Sequence, residues 1–167
     1  MGVSYLVQSV KAVLTRDMEG VDLGLMSIGP AKAGSVINAP SSVVEVLIRR
    51  GFASLDEGDR VDNKDIIKWI WLENRDPSAL REEFPRDFYV RARLSIISEQ
   101  GSNNKVSIQQ LRELIQVRLR KILMFIAMNP SIAESSEFLS RLTPEEVFLV
   151  KSVAPIIKDY LNSMVGL

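Results

Sequence analysis

The chain has 167 residues, of which 46% are apolar and 25% charged, a balance typical of a globular protein and not of a disordered one. Its 21 basic and 21 acidic residues cancel, so the overall charge gives no indication of nucleic-acid binding. Histidine and cysteine are both absent from the sequence, which excludes disulfides, thiol nucleophiles, Cys/His zinc sites and histidine acid–base chemistry. We therefore expect no catalytic residue, no metal site and no cofactor.

The sequence pattern of residues 1–60 predicts a small β-rich domain. From Val3 to Leu14 the apolar residues recur at helical spacing, so a helix is favoured there, although the β-branched residues leave a strand open. A helix is also predicted between Pro40 and Gly51, because proline is common at the start of a helix and glycine just after its end. Short strands are predicted over three further segments: residues 21–28, 34–39 and 52–55. The polar segment at residues 56–60 is the predicted domain boundary.

Residues 61–167 predict an all-α domain of about five helices, which places the whole chain in the α+β class. The first of these helices, at residues 63–74, is apolar around nearly its whole circumference and includes Trp69 and Trp71. A helix of this kind is buried on several sides. Two interpretations stay open for it, a central core helix or a subunit interface.

The next two helices lie within residues 84–128. Proline disfavours the helical conformation in the residue before it, so Pro85, which follows Phe84, is predicted as the first residue of a helix that buries Phe88 and Tyr89. A capping box of Ser107 with Gln110 starts a long helix. On a helical wheel its predicted buried stripe consists of Ile108, Leu111, Ile115, Leu119, Ile122 and Ile126.

Two arginines border this stripe. On the wheel Arg118 and Arg112 fall on its two apolar flanks, and an unpaired charge buried there costs several kcal/mol. Arg118 can extend its head group to water, or it can pair, together with Lys121, with an acidic residue of another helix or another subunit. The sequence leaves both interpretations open.

The end of the chain predicts two more helices. Asn129-Pro130 ends the long helix, and Ser131 with Glu134 is expected to cap a short one that reaches residue 142. Thr143-Pro144 with Glu146 then provides a strong start signal for the last helix. Pro155 lies inside that helix, where it is expected to produce a kink.

Three segments in this order, FPRDFYVRA, IQQLRELIQVRLRKIL and LTPEEVFLVKSV, resemble subunits of the GINS complex, a replication-fork assembly of archaea and eukaryotes. The β-rich module precedes the helical domain, as in one class of these subunits, and the short chain resembles an archaeal member. The resemblance spans roughly residues 21–165. It assigns roles in folding and assembly to the motif positions Phe84, Pro85, Phe88, Tyr89, Arg112, Arg118 and Lys121.

The resemblance implies a non-catalytic scaffold. Its expected partners are a paralogous subunit of opposite domain order in a 2:2 heterotetramer, the MCM helicase, a RecJ-like protein, and primase or polymerase. Direct DNA binding is expected to be weak or absent, no membrane segment is expected, and the expected location is the cytoplasm, at the nucleoid. Two alternatives are a DNA-binding module that uses Arg86, Arg91 and Arg93, and a carboxylate-based hydrolase.

Overall fold

The computed structural model describes residues 8–22, 27–98 and 106–166. Contacts within the chain define two units, Met1–Asp62 with Val90–Val106, and Asn63–Tyr89 with Ser107–Leu167. The predicted α+β class is confirmed, because a small antiparallel sheet comes first and a series of helices follows it. That residues 1–60 and 61–167 are separate domains stays a prediction.

The described residues of the first unit form five short strands: β1 (Ser9–Leu14), β2 (Val21–Asp22), β3 (Ser27–Ile28), β4 (Val36–Pro40) and β5 (Ala53–Ser54). Strand β1 lies at the centre of a three-stranded antiparallel sheet with β4 on one side and β5 on the other. In the β1–β4 register Val10 lies opposite Ala39 and Val13 opposite Val36. Strands β2 and β3 pair antiparallel as a separate two-stranded sheet.

The helix expected at the start of the chain is wrong for residues 9–14, which form β1. Val10, Ala12 and Leu14 are buried while Lys11 is exposed, and this alternation with a period of two is typical of a strand. The helix prediction relies on the spacing of the large apolar residues and does not take the alternation into account. Residues 3–7 of that expected helix lie outside the described residues. The strands predicted near β4 and β5 are confirmed. The single strand predicted over 21–28 is wrong, since the segment contains β2 and β3, which pair with each other, and residues 23–26 lie outside the described residues.

Helix α1 (Ser41–Arg49) follows β4 directly and ends at Gly51. The Gly51 N–H donates to the Ile48 carbonyl at 2.9 Å, and the Phe52 N–H donates to the Leu47 carbonyl at 2.8 Å. These two bonds form a Schellman motif, in which the residue after the helix adopts a left-handed conformation. Gly51 has a φ of +70°, which explains why glycine occupies this position.

Five helices account for most of the remaining chain, as predicted: α2 (Asn63–Arg75), α3 (Phe88–Ser98), α4 (Ile108–Met128), α5 (Ser136–Ser140) and α6 (Pro144–Val165). Short 3-10 helices occupy Glu57–Asp59 and Pro130–Glu134. Within the described residues, no helix combines the length and the apolar character that a membrane span requires.

Helix α3 contributes to the apolar core of the first unit. Its residues Val90, Leu94 and Ile97 are buried together with β1, β4, α1 and the residues around β5. The Val61 N–H donates to the Ser95 hydroxyl at 3.0 Å, which satisfies two buried polar groups of the same unit.

Two helix starts and one capping interaction differ from their predictions. Helix α3 begins at Phe88, and Pro85 lies in the preceding turn, where its carbonyl accepts the Phe88 N–H at 3.1 Å. The Ser107 hydroxyl caps α4 as expected, but the Ser107 N–H donates to the Asn63 side chain at 2.6 Å, so Gln110 does not complete a capping box.

The third difference concerns the segment after α4. Asn129 accepts the Ser131 N–H and caps the 3-10 helix, and the Ser135 hydroxyl caps α5, so Ser131 does not start the short helix. An asparagine that precedes proline competes well for the capping position. The start of α6 is confirmed, since Thr143 and Glu146 form a full capping box. Pro155 lies inside α6, which continues through it to Val165.

We predict that Gly51→Ala lowers the free energy of unfolding by about 1–2 kcal/mol, because a side chain at a left-handed position meets its own backbone. Gly58→Ala is the matched control, since Gly58 has neither a positive φ nor a neighbour that an added methyl group would touch. Chemical denaturation followed by circular dichroism measures both. Equal stability of the two variants contradicts the assignment of the motif.

Candidate assembly site

A buried arginine connects three helices of the second unit. Arg118 on α4 is 0% exposed. Its Nε and one terminal nitrogen donate to the two carboxylate oxygens of Glu146 on α6, at 2.7 and 2.8 Å. Its other terminal nitrogen donates to the Glu73 carboxylate on α2. Arg118 also donates to the Arg141 carbonyl at 3.1 Å, so its head group does not reach water but pairs within its own chain.

Lys121 lies nearly one turn after Arg118 and shares the same carboxylate. Its Nζ donates to the Glu73 carboxylate at 2.6 Å, to the Glu73 carbonyl at 2.6 Å and to the Ala79 carbonyl at 2.7 Å. All three ammonium protons therefore have an acceptor. We call Arg118, Lys121, Glu73 and Glu146 the ion cluster.

Aromatic side chains cover the ion cluster on one side. The Arg118 guanidinium lies 3.9 Å from the centre of the Phe84 ring, a cation–π contact. Trp69, Phe88 and Tyr89 surround Phe84 with ring centres 5.0–5.7 Å from its own. The Tyr89 hydroxyl donates to Glu146 at 2.9 Å. Burial first, and then the neighbouring Glu146 carboxylate, raise the pKa of this hydroxyl well above its ordinary value.

The ion cluster is neutral overall, because it holds two cations and two carboxylates. Burial alone would lower the pKa of Arg118, but the hydrogen bonds and charge of Glu146, with Tyr89 and Glu73, outweigh it and raise that pKa. Arg118 therefore stays charged. A buried ion pair contributes little net stability, yet removal of one partner costs about 3–5 kcal/mol, because it leaves an uncompensated charge.

The buried face of α4 includes the ion cluster and differs from the predicted stripe. Leu114, Val117, Ile122 and Ile126 are buried on either side of Arg118, whereas Ile108 and Ile115 of the predicted stripe are exposed. Ile108 has the same wheel position as the buried Ile126, so the predicted stripe is covered only toward the end of α4. The buried face is centred near Arg118. Apolar character alone could not locate it, because its centre is charged.

The other predicted site residues have separate environments. Trp69, Phe84 and Phe88 are buried and Tyr89 is half-buried in the aromatic cluster. Pro85 is half-buried, and Arg112 is exposed, outside the ion cluster. Helix α2 is not buried on all sides, since Trp71 is 61% exposed and Ile67 is 50% exposed. Whether any of these residues forms a subunit interface stays a prediction.

Sequence reasoning missed the two acidic partners. Glu73 lies four residues after Trp69, on the buried side of α2. A search for apolar residues on the helical wheel does not select a carboxylate at this position. Glu146 is predicted as a capping residue, and the structure confirms this, because its carboxylate accepts the Thr143 N–H at 3.0 Å. The sequence does not indicate that the same carboxylate also binds Arg118. One carboxylate therefore performs both tasks.

Two arginines of the DNA-binding alternative pair with carboxylates of the first unit. Arg91 lies 3.5 Å from Asp59, and Arg93 lies 3.3 Å from Glu45. Charges that are already paired are less available for phosphate binding. This pairing reduces the support for that alternative.

The second half of α6 exposes an apolar stripe. Val150, Ala154 and Ile157 face the core of the second unit. The same helix face continues at four- and three-residue steps to residues 161 and 164. We call Tyr160, Leu161, Met164 and Val165 the α6 stripe. All four are exposed, the last two at 64% and 68%, so the helix extends beyond the core that its first half covers.

We predict that Arg118→Met lowers the free energy of unfolding by about 3–5 kcal/mol, since Glu146 loses its cation and Glu73 loses one of two. Arg49→Met is the matched control, because Arg49 forms an exposed pair with Glu45 and such pairs contribute about 0.5 kcal/mol or less. Urea unfolding of both variants measures the difference. Similar losses in the two variants would refute a structural role for the ion cluster.

A second prediction uses the raised pKa of Tyr89. The folded state retains the hydroxyl proton above about pH 10, where the unfolded chain loses it, so Tyr89 makes stability fall as the pH rises. Tyr89→Phe should reduce that alkaline slope by about 0.7 kcal/mol per pH unit around pH 10, where the unfolded tyrosine is half deprotonated. Tyr160→Phe, at an exposed tyrosine, should leave the slope unchanged. Unfolding curves between pH 9 and 11, about the tyrosine pKa, test this, and identical slopes in the two variants contradict it.

Two comparisons with known proteins were made. A search of curated proteins finds no match. The family model of Sld5, the GINS complex protein helical bundle domain, matches residues 61–165, more than half of the chain. The matched segment includes α2 to α6 and every residue of the ion cluster, and it confirms the resemblance to GINS subunits that the sequence indicates. The chain therefore belongs to the GINS complex protein family.

Proposed function

We propose that this chain is a non-catalytic scaffold subunit of the GINS complex in DNA replication, of archaeal type. In this proposal it assembles with a paralogous subunit of opposite domain order into a 2:2 heterotetramer. The assembly links the MCM replicative helicase to a RecJ-like protein, with primase or polymerase as further partners. It works in the cytoplasm at the nucleoid, needs no cofactor and binds DNA weakly or not at all.

The α6 stripe carries this proposal. Residues 158–166 are all exposed, so within the described chain nothing covers the last two turns of α6. Isolated helical turns gain little stability in water, and most helical stability in proteins comes from the packing of an apolar face. A helix with an apolar stripe and no core beneath it is suited to pack on another subunit.

The size of the stripe fits a stable contact. Each large aliphatic side chain that goes from exposed to fully buried contributes about 1.5–3 kcal/mol. The stripe offers Met164 and Val165, and Leu161, at 40% exposure, adds part of such a contribution. Ile108 and Ile115 on α4 are also exposed, and they form a second uncovered apolar area. Permanent interfaces are larger and more apolar than transient ones. The uncovered side chains of α4 and α6 match that description.

The other site residues support this role from inside the unit. Trp69, Phe84, Phe88 and Tyr89 pack around Arg118, and Lys121 fixes the end of α2 against α4. We assign them the task of holding α2, α4 and α6 in one arrangement. A rigid arrangement lowers the entropic cost of assembly, because fewer groups must be ordered on binding.

We predict that Leu161→Asp/Met164→Asp abolishes assembly with the paralogous subunit, because two charges on the α6 stripe would be buried without partners. Asn162→Asp/Ser163→Asp is the matched control, since it adds two carboxylates to the same turns on the other side of the helix. Light scattering after size-exclusion chromatography gives the mass of each chain, alone and mixed with the paralogue.

The expected result is a heterotetramer for the unchanged chain and the control, and a monomer for the stripe variant. Two outcomes contradict the proposal. The unchanged chain stays a monomer in the presence of the paralogue, or the stripe variant assembles as the control does.

A further inference from the structure

The outer face of α2 carries a second exposed surface with a different chemistry. Six residues of α2 are exposed and fall within an arc of about 120° on a helical wheel. We call this surface the α2 arc, and its members are Lys64, Ile67, Lys68, Trp71, Asn74 and Arg75. Ile67 and Trp71, one turn apart, form its apolar centre.

The α2 arc has three cations and no carboxylate. The Arg75 guanidinium lies 5.6 Å from the centre of the Trp71 ring, and the Lys68 Nζ lies 5.5 Å from that of Trp69. In the part of the chain that the structure describes, none of the three cations has a carboxylate within ion-pair distance. By contrast, Arg91, Arg93 and Arg118 are all paired with carboxylates. The positive charge of the arc therefore stays uncompensated.

A depression of about 160 Å³ opens beside the end of the arc, between α2 and α4. Asn74 belongs to both, and the depression is lined by the apolar side chains of Pro77, Val117 and Met124. The exposed Arg120 stands at its wall and adds a fourth cation. A cavity of about this volume can hold a group the size of benzene.

We propose that the α2 arc is a docking surface for an acidic amphipathic helix of another protein. The apolar pair at a four-residue spacing matches the row of side chains that an incoming helix presents. One apolar residue of that helix enters the depression. Acidic residues on its flanks face Lys64, Lys68, Arg75 and Arg120, and this complementarity gives the contact its specificity. The surface is separate from the α6 stripe.

The composition of the arc favours a protein over a nucleic acid. Single-stranded nucleic acids stack successive bases on aromatic rings, whereas the arc exposes one aromatic ring beside an isoleucine. The lining of the depression combines polar and charged side chains with Pro77, Val117 and Met124 and contains no aromatic ring on which a base could stack. Nucleic-acid binding is therefore the main competing outcome in the test.

The test uses the full chain and a labelled synthetic helix of about 15 residues, enough to span α2 at 1.5 Å per residue. The probe carries leucines along one face and glutamates on both flanks. A second probe has glutamine at every glutamate position, and a third is an oligothymidylate of about the same span. Fluorescence anisotropy gives each affinity. We expect the glutamate probe to bind about tenfold or more tightly than the glutamine probe, and salt to weaken it.

Two variants locate the contact. Lys64→Glu/Lys68→Glu should weaken binding of the glutamate probe about tenfold or more, because it replaces attraction by repulsion. Trp71→Ala should weaken it about tenfold by removing the apolar centre. The control Lys11→Glu/Lys32→Glu makes the same charge change at two exposed residues of the first unit and should change the affinity less than about twofold.

The mass of each α2 variant mixed with the paralogous subunit separates this proposal from the proposed function. We expect both variants to assemble normally. Loss of assembly in them would overturn the docking proposal, because the arc would then be a subunit interface. Equal binding of the two peptide probes, or binding of the oligothymidylate alone, would also overturn it. Probe binding by a chain that never assembles would instead contradict the proposed function and leave this inference standing.

Discussion

The helical unit depends on one buried guanidinium. Arg118 donates to Glu146 with two nitrogens and to Glu73 with a third, so α4 is connected to α6 and α2 through a single side chain. Each bond requires a specific position along its helix. A shift of α4 by one turn would break all of them and leave two carboxylates buried with reduced compensation, which is costly. The ion cluster therefore selects one arrangement of the three helices, although its net contribution to stability is small.

The helical unit does not cover all of its apolar side chains. On α4 the predicted stripe is buried at Ile122 and Ile126, but Ile108 and Ile115, nearer the start of the helix, are exposed. Helix α6 likewise covers the core with its first half only, and its stripe continues past the core. The unit is thus well packed inside while it leaves apolar side chains uncovered at two places. A subunit of a permanent complex is expected to have this distribution, since its partner completes the burial.

Much of the fold could be predicted from local signals. The helix ends at Gly51, Ser107 and Thr143 follow capping rules that act within a few residues, and the structure confirms all three. The failures arise where distant residues decide. Ser9–Leu14 forms a strand because it pairs with β4 and β5 on both sides, and the helical spacing of its large apolar residues gives no information about those partners. For the same reason a wheel placed Arg118 correctly near the apolar side but could not reveal Glu73 and Glu146, which lie 45 and 28 residues away.

The two exposed surfaces differ in the free-energy cost of their exposure to water. The α6 stripe is apolar, so its exposure has a free-energy cost that assembly removes, and its partner is expected to stay bound. The α2 arc surrounds Ile67 and Trp71 with cations that water solvates well, so a folded chain can leave it open at little cost. Contacts of this mixed kind associate quickly and respond to salt, because charge steers the encounter while a small apolar centre limits the affinity. A scaffold requires both kinds of surface, one to hold its own subunits and one for a partner that exchanges.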